Sequence, residues 1–231
     1  MDKILERLLN KINNAGIDSR PSDNFYVEDI FPSSIYSEII ARLPQDHQYD
    51  FIEHPDAILN DGTVTRKLLD LTNETINRFN SIDQEFWSQL KNILISDELQ
   101  KIILQKFKDQ ITKRFGDQWP EMVTVPILYR DFPGYKIGIH TDAPYKIATM
   151  QFYFPRDRSQ IHLGTSFHEQ VNNEFHLLKT NPFKPNSAYA FVRTDNSWHS
   201  VKQMAKHESK RDSLALTIYQ KNQEYKSEKK Y

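Results

Sequence analysis

Three residues with metal-binding side chains stand at spacings that β-structure would bring together. His140 and Asp142 are two positions apart, and His199 follows 57 residues after Asp142. In a strand, residues i and i+2 project from the same face, roughly 6.6 Å apart along the chain, while Thr141 faces away. A lone His-X-Asp triplet is common by chance. The second histidine makes a metal site the preferred interpretation.

The donor set of this candidate site limits the metals and their chemistry. The chain contains no cysteine, which excludes disulfides, thiolate zinc sites, iron–sulfur clusters and a cysteine nucleophile. Two imidazoles and one carboxylate leave open coordination positions, a pattern associated with non-haem Fe(II) oxygenases. Zinc held by the same ligands with a bound water would act hydrolytically instead. The ligands alone leave both metals open.

An arginine and a serine form a second candidate cluster. Arg211 comes 12 positions after His199, and Arg211 and Ser213 share one face of a predicted strand by the same two-residue rule. A guanidinium binds a carboxylate through two hydrogen bonds, and a neighbouring hydroxyl adds another. The pair suits one carboxylate of a dicarboxylic acid, although Arg211 also stands in an ordinary charged stretch.

The elements that must position these residues are strands in the second half of the chain. After Trp119, β-branched and aromatic residues alternate with polar ones in short runs separated by turn residues. Eight short strands within about 100 residues are typical of a sandwich or barrel. The predicted strands are Val123–Arg130, Tyr135–Asp142, Ile147–Phe154, Ile161–Phe167, Glu174–Leu178, Ala188–Arg193, His199–Met204 and Ser213–Gln220.

The first half is predicted to be mainly helical. Apolar residues recur at helical spacing from Ile4 to Ile12, and a longer helix is expected from Asp97 to Phe115, before Gly116. Capping-box spacing at Ser81 predicts another helix start. A short strand is expected at 25–31, and a helix from Ser33 to before Pro44. We expect one domain, with a helical support region at 1–120, a β core at 121–221 and a polar tail at 222–231.

Composition narrows the class of partner. The 30 basic residues nearly cancel the 31 acidic ones, so no overall field favours nucleic acid or an anionic membrane. The amino-terminal segment has no uninterrupted apolar run of the kind that forms a signal peptide or a membrane span. A soluble cytoplasmic protein acting on a small-molecule or amino-acid-type substrate is the expectation, without a nucleic-acid or membrane partner. No feature points to an oligomeric state.

The order of these motifs resembles one enzyme superfamily. Tyr135–Asp142, Gly164-Thr165, Trp198-His199-Ser200-Val201 and Arg211-Asp212-Ser213 follow one another as in Fe(II)/2-oxoglutarate-dependent dioxygenases. The similarity covers about residues 121–221 and is greatest to the prolyl-hydroxylase-like branch. It implies an α+β fold: a double-stranded β-helix, a jelly-roll or cupin-like barrel, with the helical amino-terminal half packed on it.

The resemblance also implies cofactors and roles. Fe(II) would be held by His140, Asp142 and His199, and O₂ would oxidise the co-substrate 2-oxoglutarate to succinate and CO₂. Arg211 and Ser213 would bind the 5-carboxylate of the keto acid, and Tyr129 would contact it, although a core aromatic role is equally expected for Tyr129. Related halogenases lack the carboxylate ligand, so Asp142 favours hydroxylation or desaturation.

The substrate is left open by the sequence. Prolyl hydroxylases generally use lysine where this chain has Arg211, so a proline substrate is not supported. A noncatalytic barrel with a vestigial site and a zinc hydrolase remain the alternatives. Six cationic or aromatic residues are candidates to line the substrate pocket, although surface or packing roles are also expected for them: Arg66, Arg130, Lys136, Lys146, Arg193 and Trp198.

Overall fold

Two antiparallel sheets form the centre of the protein. The computed structural model describes residues 2–52 and 54–223. The large sheet has the strand order β1-β9-β6-β11-β4-β3-β2, and the small sheet has the order β5-β10-β7-β8. The strands are β1 (Asn24–Glu28), β2 (Asp50–Phe51), β3 (Arg66–Asp70), β4 (Met122–Asp131), β5 (Ile137–His140), β6 (Lys146–Tyr153), β7 (Thr165–Val171), β8 (Glu174–Thr180), β9 (Ser187–Val192), β10 (His199–Val201) and β11 (Arg211–Gln220).

Strand β11 at the centre of the large sheet presents two chemically different faces. On β11, Leu214 and Leu216 point to one side and are buried, whereas Arg211 and Ser213 point to the other. The apolar side packs against helices, and residues such as Leu8 and Trp87 are fully buried there. The helices are α1 (Asp2–Asn14), α2 (Ser33–Ala41), α3 (Asn73–Ile76), α4 (Ser81–Leu94), α5 (Asp97–Lys106) and α6 (Lys108–Phe115). The polar side therefore faces the small sheet.

The eight predicted strands are all present, as β4 to β11, with two informative differences. Strand β5 ends at His140, so the prediction that Asp142 shares a strand with His140 is wrong. Strand β7 begins only at Thr165, because the preceding segment forms turns in which Ile161 N–H donates to Arg158 O and Leu163 N–H to Gln160 O. The alternation of apolar and polar residues predicted both strands but not the residues at which they begin and end.

The first half departs further from expectation. The helix predicted from Asp97 to Phe115 is two helices, which meet at the fully buried Phe107, whose φ of −111° and ψ of 15° are not helical. Gly116 ends the second one, as expected. Helix α4 is capped by Asn80 rather than by Ser81, since the Asn80 side chain accepts from the N–H groups of Ile82 and Asp83.

The large sheet extends into the part of the chain that was predicted to be helical. Strand β1 corresponds to the strand expected at 25–31, but β2 and β3 were not predicted. The sequence of β3, Arg-Lys-Leu-Leu-Asp, lacks a clear alternation, and β3 forms by pairing with the long edge of β4. Sequence pattern is a weak guide where pairing with a distant strand stabilises the segment.

The predicted α+β fold, with the helical amino-terminal half packed on antiparallel β-structure, is confirmed. In the described part of the chain the two sheets share no hydrogen-bonded strand pair. Within the described ranges, no helix has the length and apolar content that crossing a bilayer requires. The single-domain organisation stays a prediction. The predicted polar tail lies, from residue 224 onward, outside the described residues.

Candidate functional site

Two histidines from adjacent strands of the small sheet face one point. His199 on β10 is directly opposite His140 on β5 in the strand register. The centroids of their rings lie 4.2 Å apart. Asp142 follows two residues after β5 ends, and one ligand atom from each of the three side chains lies within 4.8 Å of the others. The structure therefore brings together the three ligands that the sequence predicted.

The backbone holds both imidazoles in one tautomer. His140 Nδ1 lies 2.9 Å from Gly138 O, and His199 Nδ1 lies 2.9 Å from Ser197 O. A carbonyl oxygen only accepts, so each Nδ1 must carry the proton and donate it. This leaves each Nε2 with a lone pair for a metal, the arrangement that commonly supports histidine ligands.

Asp142 is held by groups from two neighbouring elements. Thr149 Oγ1 donates to Asp142 Oδ2 at 3.1 Å, and Lys146 Nζ lies 3.2 Å from Oδ1. Arg193 Nε donates to the backbone carbonyl of Asp142 at 3.1 Å. These contacts replace the strand pairing that was expected to position the carboxylate.

The electrostatic surroundings keep Asp142 and His199 in the protonation states that a metal needs. Burial disfavours the charged Asp142, but the charge of Lys146 and the two imidazoles outweigh it, so the pKa of Asp142 lies below its ordinary 3.8. Burial lowers the pKa of His199 to about 4, against the attraction of Asp142. At neutral pH the site therefore presents a carboxylate and an unprotonated His199.

The candidate site opens into a cavity of about 500 Å³ between the two sheets. The three ligands lie on its wall together with Arg211, and Tyr129, Arg66 and Lys146 also line it. Ile52, His54, Asp56 and Ala57, from the segment between β2 and β3, line it too. The cavity falls in the size range of small-molecule sites, roughly 300–1,000 Å³.

Arg211 is the most deeply buried cation of this cavity, with 1% of its surface exposed. Its Nε donates to Leu163 O at 2.8 Å, and its Nη1 donates to Asp131 Oδ2 at 2.6 Å. Its Nη2 is buried and has no hydrogen-bond partner in the described part of the chain. Leaving a charged N–H donor buried without an acceptor lowers the stability of the fold, unless a ligand accepts its hydrogen bond.

Ser213 is placed differently from its prediction. It lies on the same face of β11 as Arg211 but is fully buried and is not among the residues that line the cavity. Gln151 Nε2 donates to Ser213 Oγ at 2.8 Å, and Gln151 itself lines the cavity. Direct contact of Ser213 with a keto acid stays a prediction, and the structure shows Ser213 orienting Gln151.

Gln151 belongs to a chain of hydrogen bonds that sequence reasoning missed. Tyr153 OH donates to Thr165 Oγ1 at 3.1 Å, Thr165 Oγ1 to Tyr189 OH at 2.8 Å, and Tyr189 OH to Gln151 Oε1 at 2.6 Å. Burial raises the pKa of both tyrosines, so their hydroxyls keep their protons. Polar residues at alternate positions of the apolar strand β6, Thr149 and Gln151, were the available sequence signal.

Of the other residues predicted to line the substrate pocket, some line the cavity and others lie elsewhere. Arg66 and Lys146 line the cavity as proposed for a charged substrate, and Arg193 acts through the backbone of Asp142. Arg130 points to the helical side of the sheet, where it pairs with Asp46 and Asp212. Trp198 packs edge-to-face against Phe175, and Lys136 lines a separate surface pocket.

Comparison with known proteins gives a fold relationship. No protein-family model matches the sequence, and no curated protein matches it. Solved structures do match over most of the chain. A prolyl-4-hydroxylase of Pseudomonas putida is 13% identical with a TM-score of 0.51, covering 94% of this chain and all of that one.

Two further structures extend the relationship. An oxidoreductase of the 2OG-Fe(II) oxygenase family from Burkholderia pseudomallei is 13% identical with a TM-score of 0.50, covering 94% of this chain and 91% of the other. SnoN, a non-haem α-ketoglutarate-dependent epimerase of nogalamycin biosynthesis, is 9% identical with a TM-score of 0.54. The match covers 94% of this chain and 83% of SnoN. The fold predicted from the motif order is therefore the fold of this chain.

Proposed function

We propose that the protein is an Fe(II)- and 2-oxoglutarate-dependent oxygenase. One observation carries the proposal: a His-Asp-His group lines the same cavity as a buried arginine, whose Nη2 has no hydrogen-bond partner among residues 2–52 and 54–223. Structures of this fold include proteins named as 2-oxoglutarate-Fe(II) oxygenases, which supports the same conclusion. The donor set fits a metal that requires open positions.

The residues of the chain would have two tasks, holding the metal and binding the co-substrate. His140, Asp142 and His199 would hold Fe(II), with Nε2 of each imidazole directed by the Nδ1 hydrogen bond to the backbone. Arg211 Nη2 would donate to the 5-carboxylate of 2-oxoglutarate, in the buried part of the cavity where a charge-assisted hydrogen bond is strong. Fe(II) with 2-oxoglutarate and O₂ would supply the oxidation, yielding succinate and CO₂.

The surroundings of the site would orient both ligands and keep out water. The tyrosine, threonine and glutamine groups described above form a fixed polar wall, because each hydroxyl proton of that chain is donated to the next member. Tyr129 lines the cavity on β4, so contact with the keto acid is part of the proposal. Ser213 would act through Gln151.

The reaction that we infer is hydroxylation of a C–H bond in a small molecule or an amino-acid side chain. Asp142 supplies the carboxylate ligand that halogenation would require to be absent, and the cavity has room for a co-substrate and a small group. Lys146 on the cavity wall favours a substrate with an anionic group. A proline substrate is not part of the proposal.

The test is oxidation of 2-oxoglutarate by the purified protein. Protein prepared without oxygen, then given Fe(II), 2-oxoglutarate and O₂, is expected to release succinate, slowly without a substrate and faster when a substrate screen finds one. His140→Ala and His199→Ala should abolish bound iron and succinate release. His162→Ala, which removes an exposed histidine paired with Glu208, is the matched control and should change neither.

Other results would identify the alternatives. Retained zinc with oxygen-independent hydrolysis would indicate a hydrolase. Full folding and ligand binding by iron-free His140→Ala and His199→Ala would indicate a noncatalytic binding module. Intact iron binding without keto-acid binding or succinate release would refute the proposed function.

A further inference from the structure

Three charged side chains form a row across three neighbouring strands, and two of them, Arg66 and Arg211, line the cavity. Asp131 on β4 is directly opposite Arg66 on β3 and Arg211 on β11 in the strand registers. Asp131 Oδ1 lies 3.1 Å from Arg66 Nε, and Asp131 Oδ2 lies 2.6 Å from Arg211 Nη1. One carboxylate thus contacts two guanidinium groups, one through each oxygen.

The row is buried and carries an excess positive charge. The side chain of Asp131 is fully buried, that of Arg211 is 1% exposed and that of Arg66 is 18% exposed. Two positive charges against one negative charge leave a net charge of plus one on side chains that are largely buried. Burying an uncompensated charge is costly, so the row is suited to receive one anionic group from the cavity.

Arg66 is held in place by more than its ion pair. Its guanidinium carbon lies 4.1 Å from the ring centroid of Tyr129 and 4.6 Å from that of Tyr135. Its Nη1 also donates to the hydroxyl of Tyr135. Aromatic faces favour a cation between them. The strand that carries Arg66 lies outside the eight strands β4 to β11, so its contribution does not follow from the motifs in those strands.

We propose that Arg66 is a positioning residue for the anion-binding arginine, acting through Asp131. If Arg66 were absent, both oxygens of Asp131 would be available to Arg211, and an arginine binds a carboxylate most strongly through two parallel hydrogen bonds. Arg211 would then be neutralised inside the protein. By occupying Oδ1, Arg66 keeps Arg211 Nη2 for the distal carboxylate of a dicarboxylic keto acid. This inference rests on the proposed function.

The experiment compares two keto acids that differ in one carboxylate. Calorimetry under anaerobic conditions with Fe(II)-loaded protein measures the affinity for 2-oxoglutarate and for 2-oxovalerate, which lacks the distal carboxylate. Arg66→Met is expected to weaken 2-oxoglutarate binding about 10- to 100-fold, the effect of losing one charge-assisted contact, and to leave 2-oxovalerate binding unchanged. Arg66→Gln, a second neutral variant of smaller volume, should do the same.

Two further variants separate charge from structure. Arg66→Met combined with Asp131→Asn restores the net charge of the row, so it should recover most of the preference for 2-oxoglutarate. Arg66→Lys should retain most of that preference. Lys67→Met removes a cation from the next residue of β3, which contacts Phe51 and Asp46 instead, and should leave both affinities unchanged.

The outcomes distinguish this inference from the function on which it rests. Equal weakening of both keto acids by the neutral Arg66 variants, or no recovery in the double variant, would show a merely structural role for Arg66. Unchanged discrimination in those variants would also overturn the inference while leaving the proposed function standing. If the wild-type protein binds neither keto acid, both are rejected.

Discussion

The protonation of His199 links the candidate site to the stability of the fold. His199 is 8% exposed, and the centroid of its ring lies 4.6 Å from that of Phe191. Burial in this setting lowers its pKa to about 4, whereas an unfolded histidine titrates near 6.5. Between these two values the unfolded chain binds a proton that the folded chain does not.

The pH dependence of stability follows from this difference. The free energy of unfolding of the metal-free protein should fall as the pH falls from about 6.5 to about 4, by a His199 contribution on the order of 3 kcal/mol. Urea unfolding across this range measures it. His199→Asn cannot titrate, so the difference between wild type and variant isolates this residue from other groups. Parallel pH profiles for the two proteins would contradict the assignment.

Replacing Arg211 should weaken the affinity for 2-oxoglutarate without weakening the affinity for the metal. Arg211→Met removes the cation whose Nη2 lacks a hydrogen-bond partner in the part of the chain that the structure describes, while leaving Asp131 paired with Arg66. We expect at least about 100-fold weaker binding of 2-oxoglutarate, as for loss of a buried charged contact, with Fe(II) affinity changed less than about threefold. Calorimetry measures both. Lys210→Met, which removes the neighbouring, exposed cation, is the control; equal losses of metal and keto acid would argue against this role.

At the scale of elements, the start of β7 depends on one glycine. An added Cβ at Gly164 would lie 1.5 Å from the carbonyl oxygen of Asn181, a distance that only a backbone shift could relieve. Thr165, the next residue, joins the hydrogen-bonded chain between Tyr153 and Tyr189. The close approach of two backbones therefore positions part of the cavity wall.

Gly164→Ala is expected to destabilise the protein by about 3 kcal/mol or more, because overpacking here moves backbone rather than a flexible side chain. Urea unfolding measures the change. Gly138→Ala is the matched control, since Gly138 lies beside the candidate ligands and its added Cβ meets nothing within 4 Å. A comparable loss in both variants would show that the contact at Asn181 is not the cause.

At the scale of the whole molecule, the large sheet separates the apolar core from the candidate site. Its helical side is a continuous apolar core that includes Leu8, Trp87 and Leu216. Its other side carries the charged row, the polar chain and the cavity. The apolar core and the candidate site thus lie on opposite faces of the same strands. A substitution on the helical side should therefore affect the candidate site only through global unfolding.

Leu8→Ala tests this division. Leu8 is fully buried on α1, so its truncation should lower the free energy of unfolding by about 2–5 kcal/mol. Thermal unfolding measures the loss, while calorimetry below the transition should give wild-type 2-oxoglutarate affinity. Glu6→Ala, on the exposed side of the same helix, should change stability by less than about 0.5 kcal/mol. Weakened binding by folded Leu8→Ala would reveal coupling between the two faces.

Local sequence was sufficient to predict the strands β4 to β11 and the three candidate ligands. A strand leaves a two-residue alternation in its own residues, and the order of His140, Asp142, His199 and Arg211 could be read directly. The helix over α1 was equally readable from its apolar spacing. Each of these features depends on neighbours within a few positions.

Contacts between segments that are distant in the sequence determined the features that local sequence did not predict. Strand β3 exists because β4 offers it an edge, and that register alone places Arg66 beside Asp131. Asp142 reached the histidines from a loop, held by contacts with Lys146 and Thr149 rather than by a strand. The bond from Gln151 to Ser213 joins residues 62 positions apart. No local pattern encodes such contacts, because they arise only when separate strands align and exclude water from the space between the sheets.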